Sequence, residues 1–244
     1  MDLEAFIERV KEQAEDADRL VRSLRLPKTD RVLNVHRYAW DAYEAFLRKY
    51  YSDGKPRVFA ISMNPGPYGA VQTGIPFTDK PMARQFLPNF GKLVKGPPAW
   101  ARSERNEMSA GKLIAWSAEK FGGIEGLYRH MLLGMTAPIG ILRAPKWTNV
   151  PLPALAGSEQ NKVYDFIRRH AADEIRLAQP TGIFLLGDWA ERVHEITLEA
   201  DPALEAIPSV AVPHPAARIT NEAKFAAWTA GFDLLQAKAE RRSV

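Results

Sequence analysis

The sequence contains no cysteine among its 244 residues. A chain without thiols cannot form disulfides, bind zinc through thiolates, hold an iron–sulfur cluster or use a cysteine nucleophile. Its five histidines are scattered and show none of the spacings that are typical of metal ligands. We therefore expect a protein that works without a metal or any other cofactor.

Long apolar runs are also lacking. No stretch of about 18 apolar residues occurs, so we expect no membrane-spanning helix. The segment Met1–Glu4 is acidic and lacks the apolar core of a signal peptide. Because no linker or internal repeat is visible, we expect a single domain over residues 1–244. We also expect a monomer. Its expected location is the cytoplasm of a bacterium or the nucleus of a eukaryote.

Basic residues exceed acidic ones, giving a net charge of +4 and a pI near 9.2. This excess permits binding to nucleic acid without demonstrating it. Residues 79–112 contain seven Lys or Arg against three Asp or Glu, together with several prolines and Trp100. We expect this stretch to be largely loop. It either contacts a phosphate backbone or is solvated surface.

The most informative stretch is residues 58–77. Five apolar or small residues, Val58–Ser62, predict a buried strand, and Asn64-Pro65-Gly66-Pro67 ends it abruptly. Prolines and glycine at these positions predict a stiff loop at the carboxyl end of the strand, where open α/β sheets bind ligands. Because Phe77 returns after this loop, the stretch predicts a small pocket with one amide and one aromatic wall.

Helical and extended patterns alternate along the rest of the chain, which predicts an α/β fold with a parallel sheet covered on both faces. Polar residues follow three predicted strands, namely Asn64, Asn149 and His214. We expect them to meet at one edge of the sheet. Strands are predicted at 58–62, 144–149, 182–187 and 209–213. Helices are predicted at 3–24, 109–121, 159–178 and 188–199, together with one that ends at about residue 51 and a last one that begins at residue 221.

Residues 63–77 resemble the first motif of the single-strand-selective monofunctional uracil-DNA glycosylases, a family within the uracil-DNA glycosylase superfamily. The resemblance covers about residues 32–232 and leaves out the N-terminal helix within residues 1–30. It implies a three-layer αβα fold around a four-stranded parallel sheet in the order 2-1-3-4. The residues that match are Met63-Asn64-Pro65-Gly66-Pro67, Gly69, Gln72-Thr73-Gly74 and Pro76-Phe77.

The resemblance implies two catalytic residues, Asn64 and His214, for hydrolysis of the bond between uracil and deoxyribose. The transition state is close to an oxocarbenium ion and the base leaves as an anion, so the reaction needs a held water and stabilisation of negative charge. An amide such as Asn64 can hold the water. An imidazole such as His214 can donate to the uracil oxygen in either its neutral or its charged form.

The resemblance also implies four residues that bind the base. Asn149 matches the residue that reads uracil, since one amide can accept from N3–H and donate to O4 while cytosine presents the opposite pattern. Phe77 would stack on the base, and Met63, which directly precedes Asn64 in the motif, would also contact it. Gly66 stands where better-known relatives have a tyrosine that excludes thymine, which implies acceptance of 5-substituted uracils such as 5-hydroxymethyluracil.

The implied partner is uracil-containing DNA, contacted by Pro215 and Arg218 after the catalytic histidine. In the family this loop enters the duplex and helps to flip the base out, and Arg218 matches the wedge arginine. The family pattern after the histidine is Pro-Ser-Pro-Arg-Asn-Pro, whereas this chain has Pro215-Ala216-Ala217-Arg218-Ile219-Thr220.

Two alternatives to a uracil-DNA glycosylase remain open at this point. The same fold could act on another deaminated base such as hypoxanthine, or the protein could bind lesions without cutting, as the altered loop after His214 would allow. The motifs contain no lysine, which favours a monofunctional enzyme without lyase activity.

Overall fold

Seven strands and ten α-helices make up the part of the chain that the computed structural model describes, residues 1–95 and 106–241. Short 3₁₀ turns at Leu152–Ala154 and Pro202–Ala206 join some of them. The strands are β1 (Asp30–Asn34), β2 (Val58–Ile61), β3 (Met131–Leu133), β4 (Ile139–Arg143), β5 (Thr148–Asn149), β6 (Gly182–Leu186) and β7 (Ser209–Val212). The helices are α1 (Leu3–Ser23), α2 (His36–Tyr51), α3 (Ala70–Thr73), α4 (Lys80–Phe86), α5 (Phe90–Leu93), α6 (Met108–Phe121), α7 (Ile124–His130), α8 (Gly157–Ala178), α9 (Asp188–Ala200) and α10 (Asn221–Glu240).

The central sheet is parallel and four-stranded, in the spatial order β3-β2-β6-β7. Numbered along the chain, this order is 2-1-3-4, which confirms the predicted fold. Val58 of β2 lies opposite Met131 of β3 on one side and Gly182 of β6 on the other. β2 and β6 are buried at every position, because a parallel sheet with helices on both faces hides its central strands from water.

The predicted strand at 144–149 is wrong. The second parallel strand is instead Met131–Leu133, which has only three residues and follows α7 without a turn residue. So short an apolar run cannot be distinguished from the end of a helix by its periodicity. Residues 148–149 form β5, which belongs to a separate three-stranded antiparallel sheet in the order β1-β4-β5.

Helices cover both faces of the parallel sheet. On one face α10 packs on β6 and β7 beside α6, where Trp116 stacks on Phe184 at 6.1 Å and meets Trp228 edge-on at 5.4 Å. On the other face α9 packs on the same strands beside α8, which contacts α1. No helix in the described ranges is long and apolar enough to cross a lipid bilayer.

The expectation that residues 79–112 are largely loop is wrong for their described part, which contains α4, α5 and the start of α6. Asp79 explains why α4 begins where it does, because its carboxylate accepts a hydrogen bond from the Met82 amide at 3.0 Å. Trp100, Arg102 and Arg105 lie outside the described residues.

One carboxyl in the core, that of Glu174, makes stability depend on pH. Glu174 is 1% exposed, and burial raises its pKa to about 7. A raised pKa favours the folded state while the group is protonated. That contribution is complete below the unfolded pKa near 4.5 and is lost as the pH rises through about 7.

Glu174→Gln, which is uncharged at every pH, is expected to stabilise the protein at pH 8 relative to wild type, and much less at pH 5. The pKa shift of Glu174 corresponds to a gain of roughly 3 kcal/mol in the stability of the variant relative to wild type between pH 5 and pH 8. Denaturant unfolding of both proteins at both pH values measures it, with the exposed Glu8→Gln as the control. A stability difference between variant and wild type that is the same at pH 5 and pH 8 would contradict this expectation.

Candidate active site

A cavity of about 210 Å³ lies at the carboxyl ends of β2 and β7. It is the place where the loop after β2 meets the loop after β7. The cavity brings together six residues that the sequence singled out, namely Met63, Asn64, Gly66, Phe77, Asn149 and His214. The predicted pocket with an amide and an aromatic wall is therefore present.

The side-chain amide of Asn64 is hydrogen-bonded through its nitrogen but not through its oxygen. It is 6% exposed, and its Nδ2 donates to Oδ1 of Asn149 at 3.1 Å. Its own Oδ1 is buried and has no hydrogen-bond partner among the described residues. A buried acceptor without a partner is costly, so its presence in a cavity points to a ligand or water that completes it.

Asn149 reaches this cavity from the antiparallel sheet rather than from the parallel one. It lies opposite Leu142 in β5, and the next residue, Val150, donates its amide to Ile141 at 2.8 Å. This second sheet approaches the loop after β2 closely because of Gly140, where a Cβ would lie 2.6 Å from Cγ2 of Val71. The geometry thus places both asparagines within hydrogen-bond distance.

His214 is fixed as one tautomer by its own loop. The Ala216 amide donates to Nδ1 of His214 at 3.0 Å, which leaves the proton of a neutral ring on Nε2. Burial, followed by the nearby Lys224 and Lys112, lowers the pKa of His214 to about 4. The imidazole is therefore neutral at physiological pH, and its Nε2–H is the available donor.

Gly187, between β6 and α9, permits the position of His214. Its φ is +87°, and a Cβ built there would lie 2.7 Å from Cβ of His214. The Gly187 amide also donates to the Val212 carbonyl at 2.9 Å, which ties the ends of β6 and β7 together. Gly187 was not among the site residues predicted from the sequence. A glycine directly at the end of a buried strand was the signal available.

Phe77 is held by a tightly bonded turn. Its backbone has φ +50°, a value uncommon for a residue with a side chain. The Thr73 hydroxyl bridges the turn by donating to the Thr78 carbonyl at 2.8 Å, and Gly74 lies so near Ala39 that a Cβ would be 2.6 Å from the Ala39 methyl. These contacts fix the aromatic wall of the cavity in place.

Glu107 is a cavity residue that the sequence analysis missed. Its Oε2 accepts from the Ala110 amide at 2.5 Å and caps α6. Its Oε1 lies 3.9 Å from the position of a Cβ on Gly66, and a Cβ on Gly69 would be 2.9 Å from its Cγ. The open space beside Gly66 is thus bounded by a carboxylate. Nothing in the sequence around Glu107 distinguishes it from any helix cap.

Pro215 and Arg218 lie outside the cavity lining. Pro215 is buried, and its carbonyl accepts from Nζ of Lys112 and from Nζ of Lys224, each at 2.8 Å. Arg218 is exposed on the loop that follows His214. The proposed contacts of these two residues with DNA stay predictions, and for Pro215 the ring lies below the surface.

Curated relatives of this chain carry the name single-strand selective monofunctional uracil DNA glycosylase. The cattle protein is 26% identical over 140 residues, which are 54% of this chain and 50% of the relative. The rat protein is 26% identical and the mouse protein 23% identical, each over 168 residues that are 66% of this chain and 60% of the relative. The chain therefore matches only about half to three fifths of these relatives' lengths.

The crystal structure of wild-type Pedobacter heparinus SMUG2 has a similar fold, with a TM-score of 0.66 and 21% sequence identity. The similarity covers 92% of this chain and 98% of that one. Residues 48–234 match the family model described as the uracil DNA glycosylase superfamily. This match includes every cavity residue that the sequence analysis named. The chain belongs to the uracil DNA glycosylase superfamily.

Proposed function

We propose that this protein is a monofunctional uracil-DNA glycosylase, which hydrolyses the N-glycosidic bond of uracil in DNA as the first step of base excision repair. The observation that carries the proposal is the arrangement of Asn64, Asn149 and His214 around one cavity, with Oδ1 of Asn64 buried and unpartnered. These three groups match the three needs of the reaction: a held water, a reader of the base and a donor to the leaving base.

Asn64 positions the water. Its free Oδ1 accepts a hydrogen bond from a water molecule and directs the water's lone pair at the sugar carbon. An amide is a poor base, but attack on an oxocarbenium centre depends more on position than on deprotonation. The bond from Nδ2 of Asn64 to Asn149 holds the amide in the orientation that presents Oδ1.

His214 supports departure of the base. Its Nε2–H donates to the uracil oxygen on which negative charge grows, and the neutral ring carries its proton on Nε2 because Nδ1 accepts from the Ala216 amide. Asn149 recognises the base edge. Its Oδ1 has a second lone pair beyond the one that Asn64 uses, so it can also accept from N3–H.

Two features of the site support finer parts of the proposal. Gly66 leaves space that is bounded by Oε1 of Glu107, an acceptor for a hydroxyl on a 5-substituted uracil such as 5-hydroxymethyluracil. Lys112 and Lys224 lie near the loop but do not line the cavity, because their amines donate to the Pro215 carbonyl. An imine with the sugar would need an amine inside the cavity, so the arrangement supports hydrolysis without strand cleavage.

The purified protein is expected to release uracil from oligonucleotides without added metal and equally well in EDTA, and to leave an intact abasic strand. Single-turnover assays on matched strands that contain uracil, 5-hydroxymethyluracil or hypoxanthine measure this, with thymine as the control base. Release of hypoxanthine but not of uracil would favour the alternative that the enzyme acts on another deaminated base. Binding to uracil-containing DNA without release of any base would favour a lesion-binding protein.

Arg218→Ala is expected to slow uracil release from duplex DNA more than from single strands. Arg218 is exposed on the loop that follows His214, so its proposed roles are base flipping and phosphate contact, which a single strand needs less. The measurement is the ratio of duplex to single-strand single-turnover rates, compared with that of the exposed Arg241→Ala. An equal loss on both substrates would remove Arg218 from the wedge role.

A further inference from the structure

Lys224 is a fully buried lysine beneath the catalytic loop. It lies in α10 with 0% exposure, and its Nζ donates to the carbonyls of Pro215 at 2.8 Å and Ala217 at 3.1 Å. Lysine is almost never fully buried without an anionic partner, because removing an ammonium from water is costly. Among the described residues, no carboxylate lies within ion-pair distance of Lys224.

A second lysine adds to this cost. Lys112 of α6 donates its Nζ to the same Pro215 carbonyl at 2.8 Å, and it too lacks an ion-pair partner in the described ranges. Burial and the proximity of Lys112 lower the pKa of Lys224. Two amines that share one acceptor with no counter-charge are a poor way to stabilise a fold, which points to a use elsewhere.

Neutral hydrogen bonds also contribute to the shape of the loop. Trp228 donates its indole N–H to the Pro213 carbonyl at 2.8 Å, and the Ala217 amide donates to the His214 carbonyl at 2.8 Å. The first of these neutral bonds ties the residue after β7 to α10, and the second closes the turn that follows His214. What the lysines add to such anchors is positive charge.

The charged groups around His214 are unevenly distributed. α6 contributes Lys112 and α10 contributes Lys224, while at the β6–α9 junction Gly187 is followed by Asp188, an exposed carboxylate at the start of α9. Glu107 lines the same cavity. We propose that Lys112 and Lys224 act as a positive platform beneath the His214 loop, which keeps the imidazole a neutral donor and stabilises the negative charge that develops on the leaving base.

The platform rests on the proposed function and deepens it. The two lysines do not touch the base, so they are positioning residues that act through the Pro215 carbonyl and through the field at His214. A positive charge held in a poorly solvated region acts over several ångströms, and its effect is larger on the anionic transition state than on the neutral base. In this arrangement the lysines supply the positive charge and the imidazole supplies the directed hydrogen bond.

The test uses Lys112→Met, Lys224→Met and Lys112→Arg in the full chain. Each methionine variant should raise the pKa of the His214 imidazole by about one unit, measured by NMR titration with His214→Gln to assign the resonance. The same variants should lower the single-turnover rate of uracil release by about tenfold, the change that one such unit represents. Lys112→Arg keeps the charge on a half-buried side chain and should restore both readouts.

The NMR readout separates this inference from the proposed function. A His214 pKa that is unchanged in both methionine variants would overturn the platform, even if the wild-type protein releases uracil. A Lys112→Arg variant no better than Lys112→Met would overturn it as well, because charge would then not be the cause. A raised pKa in a protein whose wild type releases no uracil would support the electrostatic coupling and overturn the proposed function alone. If Lys224→Met does not fold, the comparison of Lys112→Met with Lys112→Arg decides the outcome.

Discussion

Asn64→Ala is expected to lower the single-turnover rate of uracil release by about 10²-fold or more, while the protein stays folded. The substitution removes the buried Oδ1 that is available to a water molecule and the Nδ2 bond to Asn149. Under the proposed mechanism, both losses disturb the position of the attacking water and of the Asn149 amide that is proposed to read the base. The fold should tolerate the change because the side chain projects into a cavity rather than into the packed core.

Two further variants make this experiment specific to the acceptor oxygen. Asn64→Asp keeps an acceptor at the water position, and the Asn149 amide can rotate to donate to it, so this variant should retain more activity than Asn64→Ala. Asn89→Ala removes an exposed asparagine whose side chain makes no capping hydrogen bond, and it should match wild type. Wild-type activity in Asn64→Ala would end the assignment of Asn64 as the water holder.

The sequence predicted the frame of the fold because three of the parallel strands have clear ends. Val58–Ile61 is closed by Asn-Pro-Gly-Pro, and β6 and β7 end at Gly187 and Pro213, so their lengths and polarity patterns could be read directly. Met131–Leu133 has no such boundary. It continues from α7 without a break in apolar character, and only its hydrogen bonds with β2 identify it as a strand.

The meeting of Asn64, Asn149 and His214 was expected, but one step of the reasoning was wrong. Asn64 and His214 follow parallel strands and share an edge for the predicted reason. Asn149 arrives through an antiparallel sheet whose approach depends on Gly140. The structure brings Asn149 to the cavity as expected, but through a different strand, and its role as the reader of the base stays a prediction.

The residues that sequence reasoning missed act through contacts between distant segments. Glu107 begins α6 and reaches Gly66, while Lys112 and Lys224 converge on Pro215 from two different helices. Each looks locally like an ordinary cap or surface charge. Only the packing of α6 and α10 against the loop after β7 brings these residues near the cavity, and local sequence patterns do not predict that packing.

Gly187→Ala is expected to reduce uracil release by on the order of 10²-fold, because it displaces the His214 imidazole, the proposed donor to the leaving base, without removing it. The backbone of Gly187 has φ +87° and ψ 169°, a region that is open essentially to glycine alone. In addition, the new Cβ would lie 2.7 Å from Cβ of His214, a distance that real Cβ atoms do not tolerate, so the His214 loop must shift.

Gly123→Ala is the matched control for backbone strain. Gly123 has φ +131° and ψ 178°, in the same glycine region, but a Cβ there would meet nothing within 4 Å. Both variants should lose about 1–3 kcal/mol of unfolding free energy from strain. Only Gly187→Ala should also have a lower rate of uracil release per folded molecule. Denaturant unfolding and single-turnover rates measured on the same preparations separate the two effects. If both variants kept the wild-type rate per folded molecule, the contact with Gly187 could not be what places His214.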